Sequence, residues 1–147
     1  MSIRTAALDL NRLASVCRRQ AVDLLVVFGS ADYLQQPLTR YAVERLLHSS
    51  VDIAVDINIH LTVELTGTPP QDYYDSCSKA AQAGVLSVPF ALNLAKSIGL
   101  RNRLVHQYEA IDHTIVHSAM VEAITQYMEY CRHITTCLDR HSLSPTA

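Results

Sequence analysis

Glycine is scarce in this 147-residue chain, with only four, and no stretch is low in complexity, which argues against a disordered protein. There is no uncharged apolar run of roughly eighteen residues, so a membrane-spanning helix is not expected. The opening Met1-Ser2-Ile3-Arg4 lacks the apolar block of a secretory signal, which points to the cytoplasm. Cys17, Cys77, Cys131 and Cys137 contain no C-x-x-C pair, so buried free thiols of a reducing compartment are the expectation. A basic excess is missing as well. The formal net charge of −2 provides no general attraction to nucleic acid, although a local cleft can still be positive. Of the 12 basic residues nearly all are arginine, close together at Arg18-Arg19, Arg40 and Arg45, and Arg101 and Arg103. Taken singly, such pairs read as solvated helix surface.

What remains is a chain that is 49% hydrophobic and of a length that suits one domain with a real core. Residues 2–20 read as an amphipathic helix, with Ile3, Ala7, Leu10, Ala14, Cys17 and Ala21 on one face. The apolar run 23–30 that follows cannot be told apart as strand or helix by periodicity. Pro37 sits where a helix can start, and Gly67 followed by Pro69-Pro70 where one must stop. Between them, residues 51–65 alternate apolar and polar as a strand does, but over a length far beyond the usual strand of about 5–6 residues. Glu44, His48, Asp52, Asp56, His60 and Glu64 form a polar ladder at every fourth residue, flanked by two apolar stripes. The ladder decides for a helix, set beside a cleft or a subunit interface. Residues 71–83 predict a short helix stopped by Gly84. Ser87 caps a helix over 88–109, and Asp112 caps a last one whose stripe runs from Ile115 to Leu138. The expected architecture is all-α, an antiparallel bundle of about five helices. One helical domain spans residues 1–140, and 141–147 form a flexible tail.

Several polar constellations could carry chemistry. Gly29-Ser30 after an apolar run suggests a nucleotidyltransferase turn, but on a strand Asp52 and Asp56 would stand roughly 13 Å apart, too far to share a metal. Asp56 with His60 is either a buried polar pair or an accessory to the site described next. His113 with His117 reads as two ordinary exposed residues. Cys131, His133, Cys137 and His141 lack tight ligand spacing, so no metal is expected.

The densest polar stretch is Arg101-Asn102-Arg103-Leu104-Val105-His106-Gln107-Tyr108. Arginine is a permanent planar cation that fits phosphate, and histidine exchanges a proton near neutral pH. RNA carries its own nucleophile, the 2′-hydroxyl, so this is enough equipment to cut it. Arg101 and His106 are five residues apart, about 140° around an ideal helix, whereas Tyr108 nearly superposes on Arg101. One straight helix therefore does not set Arg101 beside His106. Either the helix ends nearby, or long side chains converge across a groove, or two subunits pool their residues.

The stretch from about Ala83 to Asp112 resembles the HEPN superfamily, specifically the HepT-type toxins of HEPN–MNT toxin–antitoxin systems. The matching residues are Arg101-Asn102-x-x-x-His106-x-Tyr108, an R-x-x-x-x-H-x-Y pattern, followed by Glu109-x-Ile111-Asp112. Ala83-Gly84-Val85-Leu86 and Leu94-Ala95-x-x-Ile98-Gly99-Leu100 resemble the family's lead-in, and Asp56-Ile57-x-x-His60-Leu61 its long central helix. Gly99-Leu100 departs from the aromatic residue that many relatives carry before the arginine. The resemblance implies a helical homodimer or higher assembly, and a metal-independent endoribonuclease without a cofactor. It implies a nucleotidyltransferase antitoxin of the MNT type that transfers AMP to the motif tyrosine. By position, Arg101 and His106 become the catalytic pair, Asn102 a supporting residue and Tyr108 the site of modification, with Arg103 an additional phosphate contact. The rival reading is a non-catalytic helical module that binds a nucleotide or a partner protein through the same octet.

Overall fold

The computed structural model describes residues 12, 15–19, 23, 35–106 and 112–140, all but a few of them in helices. Five helices are seen among the described residues: α1 at residues 15–19, α2 Pro37–Thr66, α3 Tyr73–Gln82, α4 Val88–His106 and α5 His113–Arg140. No strand occurs among the described residues, and 51–65 lies within one 30-residue helix, so Asp52 and Asp56 are not the strand carboxylates that the nucleotidyltransferase reading requires. The rest of the first helix, the 24–30 run with Gly29-Ser30, and the tail from 141 lie outside the described residues.

The helix ends are written in local chemistry. Pro37 at the first turn of α2 is pre-set for a helix, and Gly67 closes it at φ 78°, its N–H donating to the Val63 carbonyl. Asp72 caps α3 by accepting from the Asp75 N–H at 2.7 Å. Gly84, at φ 81°, follows the end of α3 in a Schellman pattern, with the Val85 N–H donating to the Ala80 carbonyl. The Ser87 and Asp112 side chains accept from the Phe90 and Thr114 N–H groups, capping α4 and α5 as the sequence predicts.

α3 packs against both α2 and α4, and α5 packs against α4 and α2. The core they enclose includes Val43, Leu47, Val55, Ile57, Leu61, Ile98, Met120 and Ile134, each essentially removed from water. α1 reaches it through Cys17, whose sulfur lies 2.6 Å from that of Cys131 as a contact between free thiols. On α5 the buried stripe is turned slightly from the expected one. Ile115 is 60% exposed, and Val116 and Met120 are buried in its stead. Inside the core, the wholly buried Tyr130 sets its hydroxyl between the Ala54 carbonyl at 2.9 Å and Asn58 Oδ1 at 2.6 Å, which fixes α5 against α2.

Candidate active site

The polar ladder of α2 runs alongside α3 and the last turns of α4, and this juxtaposition builds the site. Asp52, midway along the ladder, is its centre. Asp52 Oδ1 accepts from Arg101 Nη2 and from the Tyr73 hydroxyl, each at 3.2 Å. The Arg101 guanidinium also lies over the Tyr73 ring, 5.1 Å from its centroid, and Arg101 Nη1 donates to Asn102 Oδ1 at 3.0 Å. Asn102 Nδ2 in turn reaches the Tyr74 hydroxyl at 3.5 Å. The arginine is thus held from three sides: by an ion pair, an aromatic face and a carboxamide. Its side chain keeps 15% exposure, and each terminal nitrogen carries a second N–H that can turn to an incoming phosphate oxygen.

The other oxygen of Asp52 meets a histidine. His48 Nε2 stands 3.2 Å from Asp52 Oδ2, and Arg45 Nη1 stands 3.1 Å from His48 Nδ1. A guanidinium only donates, so His48 Nδ1 accepts and the proton of the neutral ring sits on Nε2, pointing at Asp52. Electrostatics agree with the geometry. Burial, assisted by Arg101 and Arg45, pushes the His48 imidazole below its ordinary value, against the opposing pull of Asp52. The Tyr73 phenol is moved the other way, raised first by burial and then by the charge and hydrogen bond of Asp52, and so stays a donor. The result is a chain of oriented groups, Arg45 to His48 to Asp52, ending on Arg101.

His106 is the last residue of α4 and is exposed. It follows Arg101 by about 140° around the helix, so the two converge only around the helix end. Tyr108 and Glu109 lie outside the described residues. Arg103 points elsewhere. It lines a cavity of about 350 Å³ between α4 and α5 with Lys96, Glu122 and Gln126. The structure therefore joins Arg101 and Asn102 in one network and sets Arg103 apart from it.

Asp56 and His60 are exposed and lie apart from the Asp52–Arg101 pair; the pair that reaches Arg101 is Asp52 with His48, earlier on the ladder. Spacing alone could not choose the register, although the ladder itself was the signal. Tyr73 had no signal in the spacing, and Arg45 only its nearness to Arg40, which reads as helix surface. His113 and His117 also differ from the exposed residues expected. Both are half-buried, and His113 Nδ1 stands 3.1 Å from Oε1 of the buried Glu44, tying the start of α5 to α2. His133 stacks on Phe90 with ring centroids 4.4 Å apart, and its Nδ1–H donates to the Glu129 carbonyl.

Known proteins share both the sequence and the fold. Residues 11–134 match the family described as ribonuclease HepT-like. The chain is 35% identical over 107 residues to a tRNA nuclease HepT from Aphanizomenon flos-aquae, covering 73% of each protein. It is 29% identical over 108 residues to an mRNA nuclease HepT from Shewanella oneidensis, covering 73% of this chain and 80% of that one. Among solved structures, a tri-AMPylated HEPN toxin from Shewanella oneidensis in complex with its MNT antitoxin superposes with a TM-score of 0.78. That match has 23% identity and covers 86% of this chain and 96% of the other.

Proposed function

Because the chain belongs to the ribonuclease HepT-like family, we propose that Arg101 and His106 are its catalytic pair, with Asn102 and Asp52 holding the arginine. The protein is a ribonuclease, the toxin half of a toxin–antitoxin system whose antitoxin is a nucleotidyltransferase. The named relatives act on tRNA in one case and mRNA in another, so the shared substrate class is RNA. The observation that carries the site assignment is the fixed, partly exposed Arg101 guanidinium five residues before the exposed His106 at the end of α4.

The chemistry follows from those two groups. His106 takes the proton of a 2′-hydroxyl, the oxygen attacks the adjacent phosphorus, and the 5′-oxygen leaves as it gains a proton. Arg101 meets the charge that builds on the non-bridging oxygens; because Asp52 and Tyr73 have already oriented it, little reorganisation is needed at that moment. The nucleophile comes from the RNA, so these steps call on no metal or cofactor. One histidine per motif supplies base or acid but not both at once, which a homodimer with two motifs across a cleft would answer. Tyr108 is the residue we assign to AMP transfer by the antitoxin, and Arg103 is a secondary phosphate contact on the α4–α5 side.

The functional unit is one helical domain of residues 1–140 followed by a tail, since the described helices share a single core. A cytoplasmic location fits an enzyme whose substrate is cellular RNA, and no helix among the described residues is long and apolar enough to cross a membrane. The test is direct. Purified protein in a chelating buffer is expected to cut RNA, and His106→Ala to remove that activity while the helical circular dichroism stays unchanged. Undiminished cutting by the variant would sink the role given to His106.

A further inference from the structure

Beside the Arg101 network lies a hollow that the reaction as described does not use. It is a cavity of about 160 Å³ between the first half of α2 and the end of α4, lined by Tyr41, Glu44, Arg45, His48, Leu104 and Val105. Its position is informative, because His48 belongs both to this hollow and to the chain that ends on Arg101, while Val105 immediately precedes His106. The hollow therefore opens within one or two helical turns, about 5–10 Å, of Asp52 and the catalytic arginine.

Its chemistry has two parts. Tyr41 is 46% exposed and Val105 40% exposed, and they offer an aromatic and aliphatic wall open to solvent over the buried Leu104. The Arg40 guanidinium lies over the Tyr41 ring, 5.8 Å from its centroid, so a cation already accompanies that wall. Arg45 is exposed and provides a second cation next to it. The acids nearby are already engaged. Glu44 is turned inward to His113, and Asp52 is met by Arg101, Tyr73 and His48. An aromatic face flanked by arginines, with its carboxylates occupied, matches the way proteins hold single-stranded RNA by base stacking and backbone charge.

We propose that this hollow is a nucleotide subsite: Tyr41 stacks a base of single-stranded RNA next to the cleaved bond, and Arg45 holds the phosphate of that nucleotide. The inference rests on the ribonuclease reading above and adds to it where the strand lies, along α2 from Asp52 towards Tyr41. It gives α2 a substrate-binding role that the R-x-x-x-x-H pattern on α4 does not contain.

The experiment measures binding of a fluorescent single-stranded RNA oligonucleotide to the full-length His106→Ala protein across a range of salt, with cleavage of the same RNA by the unaltered protein followed in parallel. Tyr41→Ala is expected to weaken binding about tenfold without changing the salt dependence, and Tyr41→Phe to retain the affinity. Arg45→Gln is expected to weaken binding and to reduce the slope of log affinity against log salt by about 0.7, the value for one phosphate contact on a single strand. Arg132→Ala, on α5 beside Gly84 and Ser87 where α4 begins, is the control for loss of one positive charge. If Tyr41→Ala and Arg45→Gln bind like their parent while the unaltered protein still cuts, the subsite is wrong and the ribonuclease reading stands. If those variants keep their RNA affinity and instead lose neutralisation by the antitoxin, the hollow is a protein-docking surface and the proposal is overturned. If the unaltered protein cuts no RNA, the underlying reading itself fails.

Discussion

Asp52 Oδ1 and Arg101 Nη2 are 3.2 Å apart across the α2–α4 seam, and the same oxygen takes the Tyr73 hydroxyl at the same distance. One carboxylate thereby fixes both the cation and the ring beneath it. Asp52 also places a negative charge near an anionic substrate, so its removal acts in two directions. Asp52→Asn is expected to lower kcat by about 10²-fold, the scale of a misplaced catalytic group, while KM stays level or falls because a repulsive charge has gone. Steady-state cleavage of a short RNA checks this. A raised KM with unchanged kcat would show that Asp52 serves binding and does not orient Arg101.

Much of this arrangement could be read from the sequence, and the limits are instructive. The helical nature of 51–65 was decided by the i,i+4 ladder against an alternation that mimicked a strand, and α2 bears that out. The caps at Ser87 and Asp112, like the breaks at Gly67 and Gly84, depend only on neighbours a few residues away, which is why local chemistry gives them correctly. The register of the ladder against α4 was not legible. Asp52 and Asp56 are equivalent in spacing, and only the packing of α3, which brings Tyr73 under Arg101, selects Asp52. His113 failed for the same reason: Glu44, its partner, is 69 residues away in the chain. Contacts between distant helices are set by the whole core, and one helix's periodicity carries no record of them.

His48 gives the site a pH signature. Burial, with Arg101 and Arg45, holds its imidazole below the ordinary value of 6.5 in the folded protein, so the unfolded chain takes up the proton first. Above about pH 7 the ring is neutral in both states and contributes no pH dependence. As pH falls through 6.5 towards the folded value, unfolding is increasingly favoured by proton uptake. His48→Gln keeps a donor for Asp52 and cannot titrate. The unaltered protein should therefore lose stability relative to this variant as pH falls below the ordinary value of 6.5, as read from urea midpoints. Parallel curves for the two proteins would mean that His48 titrates normally.

Tyr130 tests the core that positions α2. Its hydroxyl is fully buried between the Ala54 carbonyl and Asn58 Oδ1, so Tyr130→Phe preserves the ring and removes only the donor. Asn58 is also wholly buried and would face the lost partner without water to replace it. The expected cost is about 1–3 kcal/mol of folding stability. Urea unfolding should show it as a lower midpoint with the same m value. Activity at a temperature where both proteins are folded should change little, because Ala54 and Asn58 anchor the opposite face of α2 from Asp52. Equal midpoints would show that the hydroxyl is not contributing to stability.

The last prediction concerns regulation through Tyr108. An adenylyl group on this tyrosine would carry a phosphodiester anion two residues beyond His106, within the motif that contains Arg101. If the oriented N–H groups of Arg101 receive an RNA phosphate as proposed, they would receive that one equally well, and modification would act as a tethered competitor. Tyr108→Phe removes the acceptor oxygen and leaves Arg101 and His106 in place. The variant is expected to cut RNA at a rate close to the unaltered protein, to gain no adenylyl mass when incubated with the antitoxin and ATP, and to remain active afterwards. Modified unaltered protein should instead lose RNA affinity, and the loss should shrink in Asp52→Asn, where Arg101 is no longer held towards the motif. Mass spectrometry and cleavage assays on the same samples decide the matter. An adenylyl group found on Tyr108→Phe would move the acceptor to another residue, and full inactivation of an unmodified variant would make neutralisation a matter of docking alone.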